Sequence, residues 1–186
     1  MTTQPSYVHG AASVPLWGCT IGACFDDACS RYADREALVV VHQGVRLRYR
    51  DLRARVDQLA AGLLRLGLVR GDRIGIWSPN HVEWALTQFA SAKLGLVLVN
   101  INPAYRRAEL EYVLAKVGCR ALVVAPEWKG SDYLGMLRDL CPELAQCPPG
   151  ALAAARLPRL QHVIRLGGAT TPGMLNFDDL LQPPAQ

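Results

Sequence analysis

Arg73-Ile74-Gly75-Ile76-Trp77, Leu96-Val97-Leu98-Val99-Asn100-Ile101 and Arg120-Ala121-Leu122-Val123-Val124-Ala125 are the stretches whose reading decides the fold. Each is a short apolar run bounded by chain breakers. Gly71-Asp72 opens the first and Ser78-Pro79-Asn80 closes it, Asn102-Pro103 follows the second, and Gly118 stands ahead of the third. Between the runs, apolar spacing predicts a helix over about 81–94, stopped by Gly95, and another over about 107–117, stopped by Gly118. Apolar strands that alternate with helices of this length require a parallel sheet, covered on both faces and joined by right-handed crossovers. The expected class is α/β: a three-layer, mostly parallel, Rossmann-like sheet flanked by helices. Ile74, Ile76, Val97, Val99, Leu122 and Val124 lie in that sheet, and all three strands read as buried.

Upstream, residues 20–32 read as a short helix with Ile21, Cys24, Phe25 and Ala28 on one side. Ala37–Val41 and Val45–Tyr49, around His42-Gln43-Gly44, read as a β-hairpin with one solvated edge. Leu52, Val56, Leu59, Leu63 and Leu66 recur at helical spacing over Asp51–Leu66, and Gly67 stops that helix. Downstream, Ser131–Leu140 reads as a helix, Cys141–Pro158 with its four prolines as a loop or insertion, and Gln161–Leu166 as a fourth strand. Asn176–Leu181 begins a further helix. The expected division is a lead over residues 1–19 and one subdomain over 20–186.

Composition excludes several classes. With 51% hydrophobic and 19% charged residues and a mean hydropathy of +0.11, the chain is not of the disordered kind. No run reaches the roughly 18 uninterrupted apolar residues of a membrane span. Met1-Thr2-Thr3-Gln4-Pro5 has neither a basic nor an apolar leader region, so a cytoplasmic chain is expected. The net charge of +4 is scattered, and the densest group, Arg46, Arg48, Arg50, Arg53 and Arg55, reads as a solvated face rather than a nucleic-acid stripe. Cys19, Cys24 and Cys29 recur every five residues, which on a helix turns each about 140° from the last and away from any common ion. Cys119, Cys141 and Cys147 lack paired ligand spacing, so all six read as free thiols.

Candidate chemistry is sparse. Gly167-Gly168-Ala169-Thr170-Thr171 has the small residues of a phosphate-cradling loop but no lysine and no full helix after it, and reads as a plain turn. Gly75 sits inside its strand, where close packing explains it better than a dinucleotide fingerprint does. His9, His42, His81 and His162 are far apart in sequence, and none stands beside a nucleophile in a known motif. Asp178-Asp179 point apart on a helix, as do Glu109 and Glu111, and Arg106-Arg107 read as a solvated helix start. No catalytic, cofactor-binding or metal-ligating residue is assigned.

Ordered motifs nevertheless carry a resemblance. Gly71–Asn80, Glu83-Trp84, Ala92–Pro103 and Glu109–Leu114, preceded by Leu47–Leu52, are similar to the N-terminal part of acyl-CoA synthetases of the adenylate-forming (AMP-binding) superfamily. Pro172–Leu181 resembles a segment of the medium-chain fatty-acid branch. The resemblance implies an ATP-dependent fatty-acid–CoA ligase. A fatty-acid carboxylate attacks the α-phosphate of ATP, giving an acyl-adenylate and pyrophosphate, and the thiol of coenzyme A then displaces AMP, with Mg2+ neutralising the phosphates. Family members carry a Ser/Thr/Gly-rich phosphate loop ending in lysine, an aromatic-Thr-Glu segment, a ribose-holding aspartate and a late catalytic lysine, and residues 1–186 contain none of them. The resemblance therefore implies an N-terminal fragment, inactive alone and binding neither ATP, Mg2+ nor CoA tightly. Its partners would be the second subdomain and C-terminal domain of the same enzyme. A stand-alone binding or dimerisation module derived from that fold, with or without a homodimer, is the alternative.

Overall fold

The computed structural model describes residue 10 and residues 13–182. Thr20 caps α1 (Ile21–Arg31), its hydroxyl accepting from the Ala23 N–H at 3.1 Å. The hairpin follows as β1 (Glu36–Val40) and β2 (Val45–Arg48), antiparallel, with a 3-10 turn over Val41–Gln43 and Gly44 in the left-handed region at φ 65°. α2 spans Tyr49–Arg65, starting earlier than its apolar stripe suggests: Tyr49 opens the helix instead of ending the strand. Along α2, Leu52, Val56, Leu59 and Leu63 are all buried.

The centre alternates as the sequence requires: β3 (Arg73–Trp77), α3 (Val82–Leu94), β4 (Val97–Ile101), α4 (Arg107–Val117) and β5 (Ala121–Val124). β6 (Glu127–Trp128) and β7 (Ser131–Asp132) then form a two-rung hairpin ahead of α5 (Tyr133–Leu140), so the expected helix over Ser131–Leu140 loses its first two residues to a strand. β8 (His162–Arg165), β9 (Leu175–Asn176) and α6 (Phe177–Leu180) complete the described chain. The main sheet is parallel throughout, in the order β4-β3-β5-β8-β9. The chain leaves β3 for β4 on one side and returns past β3 to β5, so right-handed crossovers put α3 and α4 on opposite faces. α1, α2 and α3 pack together, and α4 packs with α5, giving the three layers.

One sequence expectation needs correction. β4 is not buried like its neighbours: it is the edge strand, and Val97 is 49% exposed. Cys141–Pro158 is a loop as expected, with one 3-10 turn over Pro142–Ala145, and it packs into the core: Leu144, Leu152, Ala154 and Leu157 are all buried and the Glu143 carboxylate accepts from the Ala155 N–H at 2.9 Å. Gly75 has the packing role expected of it. A Cβ there would stand 3.0 Å from Leu122 Cδ1 and 3.1 Å from Ile101 Cδ1, tighter than ordinary contact.

Candidate functional site at the carboxyl edge of the sheet

Ligands of open parallel sheets bind beyond the carboxyl ends of the strands, where the strand order reverses. Here that point lies between β3 and β5. It is filled from within. Trp77, the last residue of β3, stacks on Tyr133 with ring centroids 3.7 Å apart and planes 11° from parallel, both rings fully buried. Trp77 Nε1 donates to the Asn102 carbonyl at 3.2 Å and the Tyr133 hydroxyl donates to the Pro103 carbonyl at 2.5 Å, so both aromatics tie down the loop after β4. Burial pushes the Tyr133 phenol up to about 12, with Arg106 acting in the opposite sense, and keeps it a donor.

Beside this plug, Ser78-Pro79-Asn80 carries the chain from β3 into α3. His81 occupies the cap position of α3 but its side chain makes no cap bond. The bond comes from the hairpin turn instead: Gln43 Oε1 accepts from the Val82 N–H at 2.7 Å, and Gln43 Nε2 donates to Glu83 at 3.0 Å. That docking brings together two histidines 39 positions apart, with the His42 and His81 ring centroids separated by 5.4 Å. Sequence spacing gave no sign of this meeting, because it depends on a long-range cap.

No histidine stands beside a nucleophile in a known sequence motif, yet Ser78 Oγ lies 2.9 Å from His81 Nδ1. Ser78 is buried and has one hydroxyl proton, which it gives to the Pro79 carbonyl at 2.8 Å. Toward His81 the oxygen therefore acts as acceptor, which assigns the proton to Nδ1 and the lone pair to Nε2. This is the reverse of an activated serine, whose proton must pass to the imidazole. Burial holds the His81 imidazole below its ordinary value, Glu83 opposes that and His42 adds to it, so the neutral ring is favoured. His42, Asn80, His81 and Trp84 line an open cleft of about 340 Å³.

Several of the remaining candidates are held in contacts within the fold. His162 sits buried in β8, and burial, then Arg120, hold its imidazole low. His9 lies outside the described residues. Glu109 accepts from the Arg106 N–H at 3.1 Å at the start of α4, while Glu111 accepts from Nε and Nη2 of Arg156 at 2.8 and 2.7 Å. The Arg106 guanidinium donates to Ser131, and Arg107 faces Asp139 at 3.6 Å. Asp178 and Asp179 are exposed in the short α6. Arg46 pairs with Glu36, Arg50 with Asp34 and Arg53 with Asp26, so these members of the basic cluster form a solvated, charge-paired face. All six cysteines are free thiols.

The described residues offer neither a ready phosphate cradle nor a metal cluster for the groups that the sequence resemblance implies. In the Gly167–Gly173 loop the carbonyls of Gly167 and Ala169 turn onto the Arg165 guanidinium at 3.1 and 2.7 Å, which spends that cation on the protein's own backbone. A helix of four residues follows, too short to contribute an anion-binding dipole. Among the described residues, no three or more His, Cys, Asp or Glu side chains are grouped to hold a metal ion. No chemical step is assigned to these residues through ATP, Mg2+ or CoA.

The architecture is that of the AMP-binding enzymes: the profile of that family matches residues 25–178, and the chain belongs to it. Among proteins of known function, it is 46% identical over 176 residues to the mouse (Mus musculus) medium-chain acyl-CoA ligase ACSF2, mitochondrial, a match spanning 95% of this chain and 28% of that enzyme. The zebrafish (Danio rerio) counterpart is 44% identical over 181 residues, 97% of this chain and 30% of the enzyme. The chain thus spans under a third of the length of these relatives. Among solved structures, the anthranilate CoA ligase AuaEII in complex with anthranoyl-AMP superposes with a TM-score of 0.73 at 22% identity, over 93% of this chain and 29% of that one. Acetoacetyl-CoA synthetase from Streptomyces lividans gives 0.73 at 22%, over 90% and 25%. At that identity they speak to the fold, the α/β arrangement expected from sequence.

Proposed function

We propose that this chain is the first lobe of a fatty-acid–CoA ligase of the medium-chain type, with residues 20–186 as its subdomain and 1–19 as a lead. The observation that carries this is the 46% identity to a medium-chain acyl-CoA ligase along 176 residues. The lobe acts as scaffold. Its sheet and plugged carboxyl edge wall one side of a cleft whose ATP, Mg2+ and CoA contacts come from the rest of the enzyme. Its open surfaces support that division: Val97 is 49% exposed on the edge strand, and Trp17, Ile21, Phe25, Tyr49 and Phe89 line an apolar groove of about 480 Å³. The cytoplasmic location is proposed on the sequence alone: six unpaired thiols fit any reducing compartment, the relatives are named mitochondrial, and fractionation with a tagged chain decides between the two.

The experiment is a transplant. The matched segment of the mouse enzyme is replaced by this chain, and acyl-CoA formation from octanoate is followed, with pyrophosphate release by the 186-residue chain measured in parallel. The expected result is an active chimera and no release above a boiled control from the chain alone. A folded but inactive chimera, or ATP-dependent release from the isolated chain, overturns the proposal.

A further inference from the structure

We infer that His42 and His81 form a binding site for a borderline divalent d-block ion such as Zn2+, bridging the hairpin turn and the start of α3. Three observations converge on it. First, the separation of the rings leaves room for one ion between two imidazole ligands. With Zn–N of about 2.0–2.1 Å the ion lies about 3.2 Å from each ring centroid, and a tetrahedral angle then places the centroids about 5.2 Å apart. The observed separation is 5.4 Å, with the rings inclined by 56° and not stacked.

Second, His81 is preset as a ligand. Its Nδ1–H is spent on Ser78 Oγ at 2.9 Å, and Ser78 is fixed by its own bond to the Pro79 carbonyl at 2.8 Å. This leaves Nε2 as the lone-pair nitrogen, the tautomer and the outer hydrogen bond that metal-binding imidazoles use. Third, the two rings share an open cleft of about 340 Å³ with Asn80 and Trp84. Two imidazoles leave at least two coordination positions, and the cleft has room for waters or for an anionic ligand of the ion to fill them. Imidazole donors select Zn2+, Cu2+ or Ni2+ over Mg2+ or Ca2+, so this site is chemically separate from any magnesium used with phosphates.

The site also has a mechanical consequence. His42 belongs to the turn whose Gln43 caps α3 from outside, so an ion shared with His81 would clamp the hairpin onto the helix at the contact that already joins them. Binding to the folded chain alone would then raise its melting temperature.

Zn2+ titration by calorimetry and by thermal unfolding tests this on the 186-residue chain after iodoacetamide has blocked its accessible thiols. The expected result is one Zn2+ per chain, with Tm rising on saturation. His42→Gln and His81→Gln should each weaken binding at least tenfold, and Mg2+ should not compete. Ser78→Ala, which frees the His81 tautomer, should weaken it by about tenfold, the usual effect of losing an outer-sphere partner. Since His42 is exposed in a turn, His42→Gln should fold normally, and its circular dichroism and metal-free Tm check that. Equal affinity in the parent chain and the His42 and His81 variants, or no binding up to millimolar Zn2+, overturns the inference.

Discussion

β4 and β5 enter the sequence as near twins, two apolar runs of similar length, each preceded by a helix and a left-handed glycine at Gly95 or Gly118. In the fold they differ sharply. Ala121, Leu122, Val123 and Val124 of β5 are all buried, with β3 on one side and β8 on the other, whereas β4 pairs only with β3 and leaves Val97 half in solvent. Strand hydrophobicity does not distinguish centre from edge, because that is settled by which way the following crossover turns. β5 is also pinned at its amino end. Arg120, just before it, donates to Asp72, just before β3, at 2.6 Å, and β4 has no such ion pair at Leu96.

The sharpest way to break this contrast is Leu122→Ala. Leu122 is fully buried against Gly75, and truncation leaves a cavity that close-packed neighbours fill poorly. The expected loss is about 3–4 kcal/mol in urea unfolding. A loss below about 1 kcal/mol would mean that the centre of the sheet is no better packed than its edge.

Asp72→Asn tests the pin and has a pH signature. Burial alone would raise the Asp72 carboxyl, but the Val69 N–H and Arg120 outweigh it and hold the group below its ordinary 3.8. A carboxylate depressed on folding adds stability above its unfolded value and gives it up as pH falls through the folded one. The substitution should cost about 1–2 kcal/mol at pH 7, keep that cost down to about pH 4, and lose it in stronger acid. A cost unchanged from pH 7 to pH 3 would assign the effect to shape and not to charge.

Much of this arrangement could be read from the residues. The apolar runs, the helices between them and the glycine stops at Gly67, Gly95 and Gly118 follow from local chemistry, and so the strand–helix alternation was legible. What escaped was either too short or too distant. β6, β7 and β9 are two residues each, below the length at which a period of two can register. The His42–His81 meeting depends on Gln43 capping a helix 39 positions away, and the His81 tautomer depends on a proton that Ser78 gives to Pro79. In Ser78-Pro79-Asn80-His81 the ingredients were visible. Their geometry required the turn after β3 to place serine and imidazole on the same side.

The smallest effect belongs to the edge. Val97→Ala removes two methyl groups from a side chain already 49% exposed, on a strand with one free flank. Little apolar surface returns to water and no closed cavity forms, so the expected cost is at most about 0.5 kcal/mol, several-fold less than at Leu122. The measurement is the same urea titration, repeated at two protein concentrations. An unpaired strand edge is a template for another chain, so a Val97 cost above about 1 kcal/mol that grows with concentration would show the edge covered by a second copy. A small cost, independent of concentration, leaves β4 open in the isolated chain, as the contrast with β5 requires.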